Sequence, residues 1–94
     1  MKFSHTVKFP SGQRYEMKEF TMEVDDSEFP ELKDRSLVER VRYVQGTLLQ
    51  MGLVFQVATG YVSPEDEDFK ERLRLALELK ALPAQKKRKV PSRV

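Results

Sequence analysis

Cysteine is absent from this 94-residue chain, tryptophan is absent too, and histidine occurs once. The lack of Cys excludes disulfides, thiolate metal ligands and a cysteine nucleophile, and it fits a reducing, cytoplasmic setting. His5 alone cannot build a zinc site of the usual kind. As a general base it would need a nucleophile and an orienting group that the sequence does not nominate. Long apolar runs are missing as well. The richest, Leu53 to Val62, is interrupted by Gln56, Thr59 and Gly60 and is far too short for a bilayer, so no membrane partner is expected. No Arg-led apolar segment opens the chain, so no signal peptide is expected. A P-loop, a dinucleotide-binding Gly-rich turn and a G-x-S-x-G elbow are absent. No catalytic residue, metal ligand or cofactor is therefore assigned, and the expectation is a non-enzymatic protein.

Acidic residues are missing from one region in particular. The last nine positions hold Lys86, Lys87, Arg88, Lys89 and Arg93 and no Asp or Glu, although the whole chain carries a formal charge of only +2. Residues 1–82 contain twelve basic and fifteen acidic side chains, a net of −3. The pattern divides the chain into a weakly acidic domain, residues 1–82, and a flexible basic tail, residues 83–94. Concentrated positive charge of this kind is the electrostatic footprint of contact with phosphate or another polyanion.

Hydropathy patterning outlines the domain. Phe3, His5, Val7 and Phe9 alternate with Lys2, Ser4, Thr6 and Lys8, the period of a half-buried strand. Pro10-Ser11-Gly12 predicts a turn, and residues 14–24 a second strand forming an antiparallel hairpin. The second strand changes parity: Tyr15 and Met17 are odd, whereas Phe20, Met22 and Val24 are even. A β-bulge near Lys18-Glu19 would restore one apolar face. After an acidic loop, Asp25 to Asp34, Ser36-Leu37-Val38-Glu39 matches a capping box. Leu37, Val41, Val44, Leu48 and Met51 then form one stripe of an amphipathic helix. Gly52 is placed to end that helix, and Gly46 suggests close packing on the sheet.

Leu53 to Ala58 admits two structures. The helical stripe continues in phase through Phe55, Ala58 and Val62, but Gly52, the β-branched and aromatic content and Gly60 favour a short third strand. Ser63-Pro64-Glu65-Asp66 predicts a second helix start, with Ser as cap and Pro at the first helical position. Phe69, Leu73, Ala76 and Leu77 make its inner face, widened by Leu75, Leu79 and Leu82, and Pro83 stops it. The fold class expected is α+β: a hairpin, with a possible third strand, packed against two helices and followed by a disordered basic tail.

The chemistry-bearing clusters are few. Asp25, Asp26, Glu28 and Glu31, or Glu65 to Asp68, supply oxygen ligands of the type a hard cation takes. Asp26 followed by Glu31-Leu32-Lys33 echoes the D…E-x-K pattern of metal-dependent nucleases. Here it follows Pro30 in a loop, not on a core strand, and the acids at 65–68 are explained by a helix N-terminus. The hairpin aromatics Phe3, Phe9, Tyr15 and Phe20 sit near Lys8, Arg14 and Lys18, but parity assigns them to the core face, with Tyr15 the exception. A helix-turn-helix over Leu48 to Val62 fails, because its recognition helix would be apolar and β-branched.

Two resemblances follow from these residues. The tail core K-K-R-K-V resembles a monopartite nuclear-import signal, which implies nuclear localisation in a eukaryotic cell. The run H-T-V-K-F-P-S-G-Q-R-Y-E-M-K-E-F-T-M-E-V followed by E-R-V-R-Y-V resembles small, mostly uncharacterised proteins of phages and other mobile elements. That likeness spans about half the chain and implies a binding or host-interaction role more than catalysis.

Two functions from different classes are consistent with the sequence. In the first, the protein is a non-enzymatic nucleic-acid-associated accessory module. Arg14, Lys18, Arg40, Arg42, Lys86, Lys87, Arg88, Lys89 and Arg93 contact DNA or RNA phosphates without base readout. In the second, it is a protein-interaction or inhibitor module whose acidic surface occupies a basic groove on a partner protein. A homodimer is expected, through a sheet edge or through Leu53 to Val57, since a small hairpin leaves edges open and a small core gains from added burial.

Overall fold

In the computed structural model, residues 1–24 and 29–83 are described. Two ten-residue strands, β1 (Lys2–Ser11) and β2 (Arg14–Glu23), form an antiparallel hairpin. A short 3-10 turn, Pro30–Leu32, leads into α1 (Leu37–Ala58), and α2 (Glu67–Lys80) follows. The α+β architecture expected from the sequence is the one observed. Among the described residues the sheet has two strands only.

The hairpin register runs without interruption from Lys2 opposite Glu23 to Ser11 opposite Arg14 around a two-residue Gly12-Gln13 turn. The expected bulge at Lys18-Glu19 is therefore not present. Residues directly opposite each other share a face, so Phe3, His5, Val7 and Phe9 lie with Met22, Phe20, Lys18 and Glu16. The apolar face of β2 simply ends at Phe20. Tyr15 and Met17 stand on the outer face, 59% and 61% exposed, and no register shift is needed to place them.

Ser36 and Glu39 form the capping box that the sequence indicated, each side chain accepting from the other's backbone N–H at 3.2 Å. From there α1 runs for 22 residues, straight through Gly52 and through the segment expected as a third strand. Gly52 is buried against the hairpin. A methyl group at that position would stand 2.7 Å from Val7 Cγ1 and 2.9 Å from His5 Cδ2. Its lack of a side chain serves close approach to the sheet, and tertiary packing overrides both the glycine and the β-branched content. The helix ends at Ala58 with Thr59 as its C-cap, followed by Gly60, which takes a φ of 84°.

Gly46 also differs from expectation. A methyl group there would meet the Ala76 carbonyl oxygen at 2.6 Å and Leu79 Cβ at 2.9 Å, so this glycine admits α2, not the sheet. The two positions lie about 120° apart around α1, given roughly 3.6 residues per turn. One side of α1 takes the hairpin: Val44 and Leu48 cluster with Val24, and Phe3, Phe20, Met22 and Val41 pack around them. Another side takes α2, with Leu53, one heptad beyond Gly46, also buried. Helix α2 thus packs along α1 instead of sharing the sheet face with it.

Helix α2 starts three residues later than Ser63-Pro64 suggested. The Asp66 N–H bonds the Ser63 carbonyl at 3.0 Å in a turn, and Asp66 is the N-cap, accepting from the Asp68 N–H at 3.3 Å. Both residue types are good caps, and Pro fits the turn as well as a helix start. Phe69 and Ala76 are buried as expected, but Leu75 and Leu77 are exposed, so the inner face is narrower than the leucine count implied. The helix ends at Lys80, ahead of Pro83.

Gly46→Ala and Gly52→Ala should each destabilise the fold. Overpacking of this kind costs about 1–3 kcal/mol, which outweighs a helix-propensity gain of about 1 kcal/mol. Urea unfolding monitored by circular dichroism measures it. A variant more stable than the parent would show that the close approach is not tight.

Candidate functional site

The cations nominated from the sequence divide into two groups that the fold keeps apart. Arg14 and Lys18 are exposed near the hairpin turn, where Lys18 Nζ lies 5.7 Å from the Phe20 ring centroid. Arg40 and Arg42 are on the early turns of α1, at the open end of the hairpin. The far end of α1 reaches the turn end, where Gln56 Nε2 donates to the Lys8 carbonyl at 2.9 Å. Between Arg42 and Gln56 the helix rises about 21 Å, so no single patch contains both groups. Lys86, Lys87, Arg88, Lys89 and Arg93, with the expected tail disorder, lie outside the described residues.

The point from which the tail departs is well defined. Arg35 Nη1 donates to the Pro83 carbonyl and pairs with Glu39 at 3.6 Å. Arg42 and Val38 of α1 join Leu79, Leu82 and Pro83 around a depression of about 350 Å³. The chain at residue 83 therefore lies beside the exposed Arg42. Arg40 is half-buried and already engaged by the protein.

Cations of α2 are differently placed. Lys70 pairs with Glu67 at 3.6 Å, Arg72 with Asp68 at 3.1 Å, and Arg74 with both Glu71 and Glu78. Hydrogen bonding to Glu71 holds the Arg74 guanidinium above its ordinary range and lowers the Glu71 carboxyl. These i, i+3 and i, i+4 pairs leave α2 with an electrically balanced surface.

The hairpin aromatics divide as parity indicated. Phe9 and Phe20 pack edge-to-face on Phe55, with centroids 5.0 and 5.7 Å away, and are committed to the interior. Tyr15 is on the outside, 5.6 Å from the Tyr61 ring and 5.3 Å from Lys8 Nζ. Among the described residues no three His, Cys, Asp or Glu side chains are grouped as metal ligands would be; Asp25, Asp26 and Glu28 lie outside them. His5 is half-buried beside Gly52.

Glu31, the remaining acid of the expected nuclease-like pattern, accepts a hydrogen bond from Tyr43 Oη. That bond lowers the Glu31 carboxyl, while burial and then Glu31 itself raise the Tyr43 phenol to about 12. Lys80 Nζ sits 5.6 Å from the Tyr43 ring and donates to Gln50 Oε1 at 2.9 Å. The cluster joins the 3-10 turn, α1 and the end of α2. A phenol raised in this way stays protonated at neutral pH and donates to Glu31.

One feature escaped the sequence reading. A shallow groove of about 540 Å³ runs along α1, floored by Thr47, Met51, Val54 and Ala58 and flanked by Phe20 and Lys80. Val54 is 56% and Met51 38% exposed, although Met51 belonged to the expected core stripe. A signal was available: residues 43–64 contain no Asp, Glu, Lys, Arg or His, in a chain that is 34% charged. An ordinary solvated helix face would carry charge.

No helix of the described chain is long and apolar enough to cross a membrane. No protein-family model matches the chain, and neither a curated protein nor a solved structure does.

The Tyr43 shift carries a pH signature. Its native value lies above the unfolded value of 10.0, so the stability it contributes is intact below pH 10 and falls as pH rises towards about 12. Tyr43→Phe should flatten the stability profile over that interval in denaturant titrations. An unchanged profile would show that the Tyr43 phenol is not raised in the folded protein.

Proposed function

We propose that the protein is a non-enzymatic accessory module that contacts nucleic-acid phosphates through its basic tail, assisted by the cations at the tail's root. The observation that carries this is where the uncompensated charge lies. Acids within the described domain pair the cations of α2, whereas Lys86 to Arg93 have no acid among them. The tail begins at Pro83, which Arg35 holds beside Arg42. A polyanion lying along the tail meets Arg42 first; Arg40, two residues earlier, points to another side of α1 and is already engaged by the protein. Arg14 and Lys18, at the opposite end of the hairpin, contribute only to a ligand long enough to span the domain.

Such binding is electrostatic and carries no sequence information, because contacts to phosphate position a ligand without reading its bases. Tyr15 is the one exposed hairpin aromatic suited to stacking, and it is remote from the tail root. The inhibitor role through acidic side chains draws less support: Asp66 caps α2, Glu67 and Asp68 are in ion pairs, and Glu31 is bonded to Tyr43.

Fluorescence anisotropy with labelled duplex DNA and single-stranded RNA across a salt series tests the proposal. For duplex DNA, removing residues 84–94 should reduce the slope of log K against log salt by about four to five, since each phosphate contact contributes roughly 0.9. Arg42→Ala should reduce it by about one, and Arg14→Ala by less. Absence of binding to either nucleic acid at low salt would overturn the proposal.

A further inference from the structure

We infer that the uncharged third side of α1 is the interface of a homodimer, in which two copies of α1 pack antiparallel across a two-fold axis. This goes beyond the proposed phosphate contact and does not depend on it. Helix α1 has three sides: one faces the hairpin, one faces α2, and the third is the groove floored by Thr47, Met51, Val54 and Ala58. Those four residues recur at steps of four, three and four, the spacing of a helix–helix seam. An exposed apolar seam on a helix without charge from residue 43 to residue 64 is a surface made to be covered.

The occupant follows from symmetry and charge. The seam is symmetric about the peptide between Gly52 and Leu53. An antiparallel second copy therefore sets Thr47 against the partner's Ala58 and Met51 against the partner's Val54, small against small and large against large. Charge complements this arrangement. Lys80 flanks the groove, alongside Gln50. At the opposite end Glu65 follows within ten residues of Ala58, ahead of Asp66, which caps α2, and of Glu67 and Asp68, which pair within it. Antiparallel docking brings the cationic end of each copy towards the acidic end of the other, and the two helix dipoles oppose.

The chain's own tail is a poor occupant: five of its residues are cationic, and the groove floor offers no acid. It also departs from the α1 N-terminal end, beside Arg42. A two-fold dimer has a further consequence, since it carries two basic tails and raises their effective concentration on one polyanion.

Sedimentation equilibrium of the full chain between about 1 and 100 μM spans the affinities of small interfaces. The expected result is a species of twice the 11.0 kDa chain mass. Val54→Glu should weaken dimerisation at least tenfold, the loss expected for a central apolar contact (~1.4 kcal/mol). Leu77→Glu, exposed on α2, should leave it unchanged.

Orientation is read separately, because the chain lacks cysteine. Mixed Thr47→Cys and Ala58→Cys chains should form a disulfide heterodimer on mild oxidation, and neither variant should cross-link alone. In the antiparallel arrangement two copies of position 47 lie about 16 Å apart along the axis. A monomer throughout the range, a dimer indifferent to Val54→Glu, self-cross-linking of Thr47→Cys, or a monomer that instead takes up a foreign helix would each overturn the inference.

Discussion

A single helix has to be the interior of this protein. The hairpin and α2 both pack on α1, and the buried side chains are few: Val7, Val24, Leu32, Val44, Leu48, Leu53, Phe69 and Ala76 among the described residues. A lone two-stranded hairpin is marginal in water, and α2 carries Glu, Lys and Arg on most of its surface. Each therefore depends on how closely α1 lets it approach. Gly52 sets that distance on the sheet side and Gly46 on the α2 side. The capping box at Ser36–Glu39 and the positive φ at Gly60 fix where the supporting helix begins and ends.

That constraint explains which parts of the fold were legible in the sequence. Strict alternation in residues 2–9 and the Ser36–Glu39 spacing are local signals with local causes, and each is realised. The hairpin also folds back where expected, but its turn is Gly12-Gln13, with Pro10 and Ser11 paired inside β1. Gly52 and Leu53 to Ala58 were misleading because their cause is tertiary. A glycine in a helix ordinarily weakens it, but here it is where β1 comes within van der Waals reach. The parity change in β2 looked like a bulge only if every apolar residue must face inward, and Tyr15 and Met17 do not. At Ser63-Pro64 two valid cap signals stood three residues apart, and pattern alone does not rank them.

Of the candidate site, charge was legible and shape was not. Composition located the cationic tail, but only the fold shows that its root lies beside Arg42 while Arg14 and Lys18 lie at the other end of α1. Likewise, Met51 belongs to the helical stripe by periodicity, yet the hairpin covers Val44 and Leu48 and leaves Met51 on the open side. Assigning faces of a helix needs its neighbours. The absence of charge from residue 43 to residue 64 becomes informative once the described residues are seen to cover two of the three sides of α1.

The claim on which the account turns is that α1 is the common support, with the hairpin and α2 each stable only on it. Native-state hydrogen exchange of the full chain tests that most directly. The account predicts that amides of Val44 to Leu53 are the slowest, opening only on global unfolding. Amides of β1, β2 and α2 should exchange at the same or lower free energy. Protection of the hairpin that outlasts protection of α1 would contradict it.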